Sequence, residues 1–599
     1  MSRIKVLLAG IVVTAMVSLG TNAQAQKIKV MFAGSSAQWQ TLALGTYNDG
    51  HCVSGGTAPC FHYTNGSFNL TDTRPSHVGL SANVDTGGIW IVWDSAASPN
   101  VWAFIKVDSG VGNRCYFANP ACVVGANPFP SASNSITVWP DGSQDQTPPA
   151  SVQALFTGST VSVNVSATDI RPEDSLWSTC RTNSQLGSAA VGGGDGTDGL
   201  GYNNNNAPGV CAAFGANKNA LVGNAIQSGY PGSTSTANVL AFALSGKDPF
   251  TGSTVPKYTT YSVGVAPVAF IYSRNGGQLN SSLNNITDTQ AQTLFSGASC
   301  DASALGLNSA GIAVYLREPL SGTMNTTEAS VFRRPVVGGG VLGISQEANV
   351  NGANPLTGSS VACPSSDGKG GRWRGIGTGE VVKSVLNSVK NNGIDGITYT
   401  FFSYGNISSI ASNSSYGYLT LDGTDPIFSA YYDGSGSAFD PGQPTAYGAG
   451  GLPGAKDTPC GSFPCAETQI WAGGLSFPNV RAGAYRAWSL LRIVSTGPAL
   501  TAAEAVIKDS QQYVITTTPD YIPALAVKTT VNGKAFTDPG ATILRSHYQQ
   551  FDGSGAAIGK APVDSGKTES GGDQGGCIQP SASVALQLVQ SAPSGCVAR

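Results

Sequence analysis

The tightest constraint on this chain's fold is a recurring local plan. A short apolar run ends in glycine or a small hydroxyl residue just where a helix or turn begins. Lys27 to Phe32 (KIKVMF) reads as a strand, and Gly34-Ser35-Ser36 as a turn into a helix starting near Ala37. Val263 to Tyr272 (VGVAPVAFIY), Ile312 to Leu316 (IAVYL) and Ile397 to Phe402 (ITYTFF) are apolar throughout, as strands buried on both faces are. Such strands need helices against them, so the fold class is α/β. Thr287-Asp288-Thr289-Gln290 has the form of a capping box and opens a helix to about Phe295. Val381, Val385 and Val389 recur at i+4, which predicts a helix from Gly379 to Asn391 capped by Thr378. Arg481 to Val494 (RAGAYRAWSLLRIV) reads as an amphipathic helix. Residues 50–105 are β-rich, with IWIVW (Ile89 to Trp93) and VWAFIKV (Val101 to Val107). Residues 183–232 and the closing stretch are rich in Gly, Ser and Asn and read as loop and surface tail, 412–480 is turn-rich, and no internal repeat is visible.

Compartment follows from the first residues and the cysteines. Arg3 and Lys5 precede an apolar stretch from Val6 to about Leu19, and Ala23-Gln24-Ala25 supplies small residues for a cleavage site. That is the plan of a secretory signal peptide over 1–25, and the apolar run is too short for a stable membrane span. Twelve cysteines fit an oxidising compartment, and neighbours in sequence suggest local bridges: Cys52/Cys60, Cys115/Cys122, Cys180/Cys211, Cys460/Cys465 and Cys577/Cys596. Cys300 and Cys363 remain to pair with each other, although connectivity does not follow from sequence. A zinc site at His51, Cys52, Cys60 and His62 has the wrong spacing for a common site, so no metal is expected. A periplasmic or secreted monomer is the expectation.

Charged residues are only 11 % of the chain, against roughly 25 % in an average soluble domain. A net charge of −3 gives no field for nucleic acid, so recognition must be local. At 599 residues the chain exceeds a single compact core, and two or more lobes are expected.

Four segments place small hydroxyls or glycine after a strand, where unpaired N–H groups and the positive end of a helix dipole point outward. They are Gly34-Ser35-Ser36, Asp108 through Arg114, Thr168-Asp169, and Arg317 through Thr323. Each alone is ordinary turn punctuation. Together they could enclose an oxyanion, whose every oxygen must be paired once buried. Ser35, Ser36, Ser109, Ser321 and Thr323 carry hydroxyls, Ala37, Gly110 and Gly322 add N–H groups, and Arg317 presents a planar fork for two oxygens. The competing role for Arg317 is a salt bridge to Glu318 or Asp301. Asp169 would repel a bound anion unless that anion donates a proton, which monohydrogen phosphate does near neutral pH and sulfate does not; otherwise Asp169 caps the turn before Arg171-Pro172.

The stretch IAVYLREPLSGTMN resembles the R-x-x-x-S-G-T strand and turn of the periplasmic phosphate-binding proteins that serve ABC importers. Val161 to Pro172 is similar to that family's strand ending in a buried Ser/Thr-Asp pair, Val265 to Phe295 to its next strand and helix, and Gly377 to Asn406 to its glycine-led helix and return strand. The resemblance implies a two-lobed, type II periplasmic-binding-protein-like α/β fold with large β and loop insertions. Lobe one would take 26–265, lobe two 266–400, and 401–599 would return to lobe one with a C-terminal extension. It implies a phosphate-binding, non-catalytic protein with no cofactor, no membrane insertion, and an ABC importer permease as partner.

Two rival classes remain open at this stage. A secreted hydrolase or phosphatase is disfavoured by four histidines, none in H-E-x-x-H, and by the lack of a G-x-S-x-G elbow with partners. An adhesion or matrix protein would suit the low charge and aromatic strands.

Overall fold

The structure is a computed structural model. It describes residues 28–48, 60–74, 83–94, 99–125, 129, 139–157, 161–172, 175, 242–248, 251–317, 321–332, 334–335, 341–344, 346, 361–375, 377–403, 415–427, 477–481, 484–516, 520–531, 534–538, 540, 542–543 and 578–579. The signal-peptide reading, the loop at 183–232, most of the C-terminal tail and the bridges Cys180/Cys211, Cys460/Cys465 and Cys577/Cys596 fall outside these residues.

Strand β1 (Ile28–Ser35) runs directly into helix α1 (Ser36–Asn48), as the opening turn predicts. An antiparallel stretch follows, β2 (Phe61–Thr71), β3 (Asn83–Trp93) and β4 (Val101–Val107), and β4 leads into α2 (Ser109–Phe117). Short strands β5 (Val123–Gly125), β6 (Val161–Ser162) and β7 (Val165–Thr168) come before the long β8 (Thr259–Ser273). Then come α3 (Asp288–Phe295), β9 (Ala313–Arg317), α4 (Gly322–Thr327), β10 (Gly371–Gly375), α5 (Thr378–Leu386), β11 (Gly396–Phe401) and β12 (Tyr416–Leu421). The chain returns through β13 (Trp488–Ser495) and α6 (Gly497–Thr516).

All of these strands belong to one 16-stranded sheet that has two halves with the same internal order. In the first, β4, β1 and β7 are parallel, β13 is antiparallel to β7, and the start of β8 is antiparallel to β13. In the second, β10, β9 and β11 are parallel, the end of β8 is antiparallel to β11, and β12 is antiparallel to β8. Each half therefore has three parallel strands, one reversed strand, and a fifth running with the first three. The fold is a two-lobed α/β arrangement. Its inserted segment, β2, β3, β5 and β6, widens the outer edge of the first half beyond β4.

β8 belongs to both halves. Thr259 to Pro267 pair with β13, and Val268 to Tyr272 pair with β11. At the change-over, Phe402 N–H donates to Pro267 O (2.8 Å) and Val268 N–H donates to Ala487 O (2.7 Å). From Val263 onward the strand is buried, with strands on both edges and helices packed over it, which explains its uninterrupted apolar run. The largest hydrophobic cluster spans both halves, from Val30 and Phe32 through Val265 and Phe270 to Tyr399.

Two expectations are corrected. Arg481 to Val494 is not an amphipathic helix: the helix there covers only Pro478–Arg481, and Trp488–Ser495 is a strand. Lying between β7 and β8, that strand is buried at every position, and an apolar run buried on both faces has no periodicity to separate strand from helix. The helix expected from Gly379 to Asn391 is two, Thr378–Leu386 and Ser388–Asn392, broken at Asn387. Its N-cap is Gly377 at φ +78°, and Thr378 is the first helical residue.

The capping box is present. Thr287 Oγ1 accepts Gln290 N–H, and Gln290 Oε1 accepts Thr287 N–H. Cys115–Cys122 and Cys300–Cys363 are bonded as expected, and Cys60 is also disulfide-bonded. His62 sits in a hydrogen-bonded niche, its Nδ1 3.1 Å from Asp145, its Nε2 3.1 Å from Ser143 Oγ, and its ring stacked on Trp139.

Candidate functional site

Parallel strands end on the same side of a sheet, and in open α/β sheets that side is where ligands bind. Here both halves bring the C-terminal ends of their parallel strands to one place. The first contributes Ser35 from β1, Asp108-Ser109 after β4, and Asp169 after β7. The second contributes Arg317 from β9 and Gly377-Thr378 after β10. Four helices start there, α1, α2, α4 and α5, so their unpaired N–H groups face the same region.

Gly34 permits the first of these turns. It adopts φ +140°, and a Cβ there would lie 1.9 Å from Ala167 O, so only glycine lets β1 pass β7 and turn at Ser35-Ser36.

Contacts then cross between the halves at these turns. Ser36 Oγ donates to Thr378 Oγ1 (3.1 Å). Arg317 Nη2 lies 3.7 Å from Asp108 Oδ1, with both side chains buried. Gly322 packs so closely on the first half that a Cβ there would lie 2.5 Å from the Asp169 carboxyl and 2.6 Å from Ser109 Oγ.

Within each half the groups are also tied together. Arg317 Nη1 donates to Thr323 Oγ1 (3.0 Å) and to Thr378 Oγ1 (3.2 Å). Ser109 Oγ donates to Asp169 Oδ1 and accepts Asp169 N–H (3.2 Å). The Asp169 carbonyl accepts from Ser489 Oγ and Arg492 Nη1, which fixes its backbone against β13. Ser36, Ser109, Asp169, Arg317, Gly322 and Thr323 thus form one continuous constellation from four separate stretches of chain.

The other anticipated residues line the turns around it, with local engagements. Ser35 Oγ accepts Ala37 N–H (3.2 Å), so that N–H is used within its own turn. Ser321 is the N-cap of α4 and accepts Met324 N–H (3.3 Å). Gly110 is buried in the first turn of α2. Of the two salt bridges considered for Arg317, that to Asp301 does not form, because Asp301 instead accepts N–H groups from Ser303, Ala310 and Ser366, and Glu318 lies outside the described residues.

Two participants escaped sequence reading. Asp108 directly precedes Ser109 and lies beside Arg317, a partner from the other half that leaves no local signal in the sequence. Thr378 was assigned to capping, whereas its hydroxyl joins Ser36 to Arg317. Chemically, the cluster offers hydroxyls, helix N-termini and a guanidinium to an oxyanion, together with a carboxylate able to accept a proton from it. Among the described residues no group of three or more His, Cys, Asp or Glu side chains has metal-holding geometry.

No family model and no curated protein matches the chain. Several solved structures show partial likeness. A phosphate-binding protein from Stenotrophomonas maltophilia is 11% identical, with 84% of this chain and 86% of that one covered, at a TM-score of 0.30. The ancestral soluble variant of the human phosphate binding protein is 11% identical over 82% and 90%, at 0.31. A putative phosphate ABC transporter substrate-binding protein from Clostridium perfringens, with bound phosphate, is 16% identical over 44% and 71%, at 0.25. Superpositions this loose carry no weight alone, and the fold assignment rests on the repeated strand order and the shared β8.

Proposed function

We propose that the chain is an extracytoplasmic solute-binding protein that captures a small protonated oxyanion, phosphate first, between its two lobes. The observation that carries this reading is the meeting of Arg317, Thr323 and Gly322 from one half with Asp169 and Ser109 from the other. The lobes divide near Ala266 within β8. Arg317 with Thr323 would hold two oxygens, the α1, α2, α4 and α5 N-termini the rest, and Asp169 would accept the ligand's proton. A site built around that proton rejects sulfate, which would set acceptor against acceptor. Four or five charge-assisted hydrogen bonds, roughly 1.5–3 kcal/mol each, suffice for micromolar binding after association costs. Disulfide-bonded cysteines support an oxidising compartment, and no described helix is long and apolar enough to cross a membrane. Delivery to an ABC importer permease completes the proposal.

Thermal unfolding with phosphate, arsenate and sulfate, repeated on Arg317→Ala and Asp169→Asn, tests it. Phosphate at a hundredfold excess over its Kd should stabilise the protein by about 2.7 kcal/mol. Arg317→Ala should lose that response, and Asp169→Asn should lose the preference over sulfate. A wild-type protein indifferent to phosphate would end the proposal.

A further inference from the structure

The inserted segment carries a second cluster, away from the cleft. His62, on β2, lies 3.1 Å from Asp145 Oδ1 through Nδ1 and 3.1 Å from Ser143 Oγ through Nε2. Hydroxyl, imidazole and carboxylate are thus linked in the order that a nucleophilic serine requires. Tyr47 packs edge-on against the imidazole, ring centroids 4.6 Å apart. Tyr47 stands eleven residues beyond Ser36 in α1, about 16 Å along the helix, so this cluster is separate from the Arg317 site.

The hydrogen bonds fix the imidazole tautomer. Asp145 Oδ2 accepts both the N–H (2.9 Å) and the hydroxyl (2.6 Å) of Thr64, and Oδ1 is left to accept from His62 Nδ1. A carboxylate only accepts, so the imidazole proton sits on Nδ1 and Nε2 is a bare acceptor. Ser143 Oγ then donates to Nε2, the bond through which an imidazole removes a hydroxyl proton. Packing holds the ring in that orientation, stacked on Trp139 at 4.2 Å and met edge-on by Tyr47. The loop itself is tied to β2: His62 N–H donates to Gln146 Oε1 (2.8 Å), and Gln146 N–H donates to His62 O (2.9 Å).

Exposure divides the cluster as a nucleophile needs. The side chains of His62 and Asp145 are buried. Ser143 is only half-buried and lies between the exposed Gly142 and Gln144. Gly142, at φ +90°, has open space where a side chain would stand, so the turn is accessible on that side. The Ser143 main chain is engaged within the turn, its N–H by Asp141 Oδ1 (2.8 Å) and its carbonyl by Trp139 N–H (3.2 Å). The hydroxyl is directed to His62 instead. The next N–H, that of Gln144, meets no protein acceptor among the described residues. In sites of this kind the N–H after the nucleophile receives the oxyanion.

We propose that Ser143 is a nucleophilic serine, activated by His62, that takes an acyl group from small activated esters reaching this turn. Ser143 Oγ attacks the ester carbonyl carbon as its hydrogen passes to His62 Nε2, and a tetrahedral oxyanion forms beside the Gln144 N–H. On collapse the bond to the alcohol oxygen breaks, that oxygen takes the proton from Nε2, and Ser143 keeps the acyl group as an ester. Anion capture in the cleft neither requires this chemistry nor is required by it.

Two probes on the full chain test it, p-nitrophenyl acetate as acyl donor and phenylmethylsulfonyl fluoride as a stable label for activated serines. The wild type should release p-nitrophenolate, and the sulfonyl group should map to Ser143 in peptide mass spectrometry and stop that release. Ser143→Ala, and separately His62→Gln, should each slow release roughly 100-fold or more, the usual contribution of a general base. A sulfonyl group found elsewhere or not at all overturns the proposal, as does release that persists in Ser143→Ala. His62 is buried, and should His62→Gln fail to fold, the wild-type label map and the half-buried Ser143→Ala still decide the outcome.

Discussion

Gly322 sets how near the two halves can come at the candidate site. With a Cβ the residue would press on the Asp169 carboxyl and on Ser109 Oγ, both buried and both hydrogen-bonded, so neither can simply swing away. Gly322→Ala should therefore hold the halves apart, weakening phosphate binding tenfold or more and costing roughly 1–3 kcal/mol of stability, typical of overpacking. Calorimetry and urea unfolding of the same variant measure the two effects, and unchanged affinity would show that the approach of Gly322 is irrelevant to binding. Asp301 supports a different prediction. Burial would raise its carboxyl, but hydrogen bonds from Ser366 and Ser303 outweigh that and hold it well below the usual carboxylate range. A depressed carboxyl contributes stability above the unfolded value of 3.8 and loses it as pH falls through the lower folded value. Asp301→Asn should thus be less stable than wild type at neutral pH, with the gap narrowing as pH drops below about 4. Acid titration of the unfolding midpoint checks this, and a gap that does not narrow on acidification contradicts the assignment. That Ser36, Ser109, Asp169, Arg317, Gly322 and Thr323 come together was legible because hydroxyls and glycines after strands leave a local signature. Asp108 and Thr378 were less so, because their roles depend on a partner from the opposite half.

Among the elements, α3 shows how well a purely local code reads. The Thr287–Gln290 box is two reciprocal bonds within four residues, and both form as the sequence predicts. Thr287→Ala should cost about 1 kcal/mol in denaturant unfolding, and Thr287→Ser should recover most of it. Equal losses from both would mean that the cap contributes through packing instead. β13 shows the opposite case. Ala484, Ala487, Leu490, Leu491 and Val494 look like a helical stripe, but the decision between helix and strand is made by β7 and β8, which lie hundreds of residues away and bury both faces. The α5 region fails more gently. The valine spacing places a helix correctly, while the interruption at Asn387 is not visible in apolar periodicity.

For the molecule as a whole, the decisive element is β8, because one strand completes both halves. Its apolar character was readable, but its division between two partners was not, since pairing is settled by strands that arrive later in the chain. Sharing a strand that is buried from Val263 onward means that neither half can unfold without exposing the edge of the other, so the halves should melt together. The Cys300–Cys363 disulfide offers a way to test this from one side. It closes a loop of 63 residues within the second half, enclosing β9 and the Arg317–Thr323 segment. Chain-entropy reasoning assigns such a closure about 4 kcal/mol, lost on replacing both cysteines by serine. If the shared strand couples the halves, that local loss lowers the stability of the entire sheet. Urea unfolding of Cys300→Ser, Cys363→Ser should then show one transition at a lower midpoint. Circular dichroism should coincide with fluorescence, which is weighted to the first half, where Trp39, Trp90, Trp93, Trp102, Trp139 and Trp488 lie, against Trp373 in the second. Two separated transitions, with the earlier one strong in circular dichroism and weak in fluorescence, would instead mean that β8 can part from one set of neighbours while keeping the other.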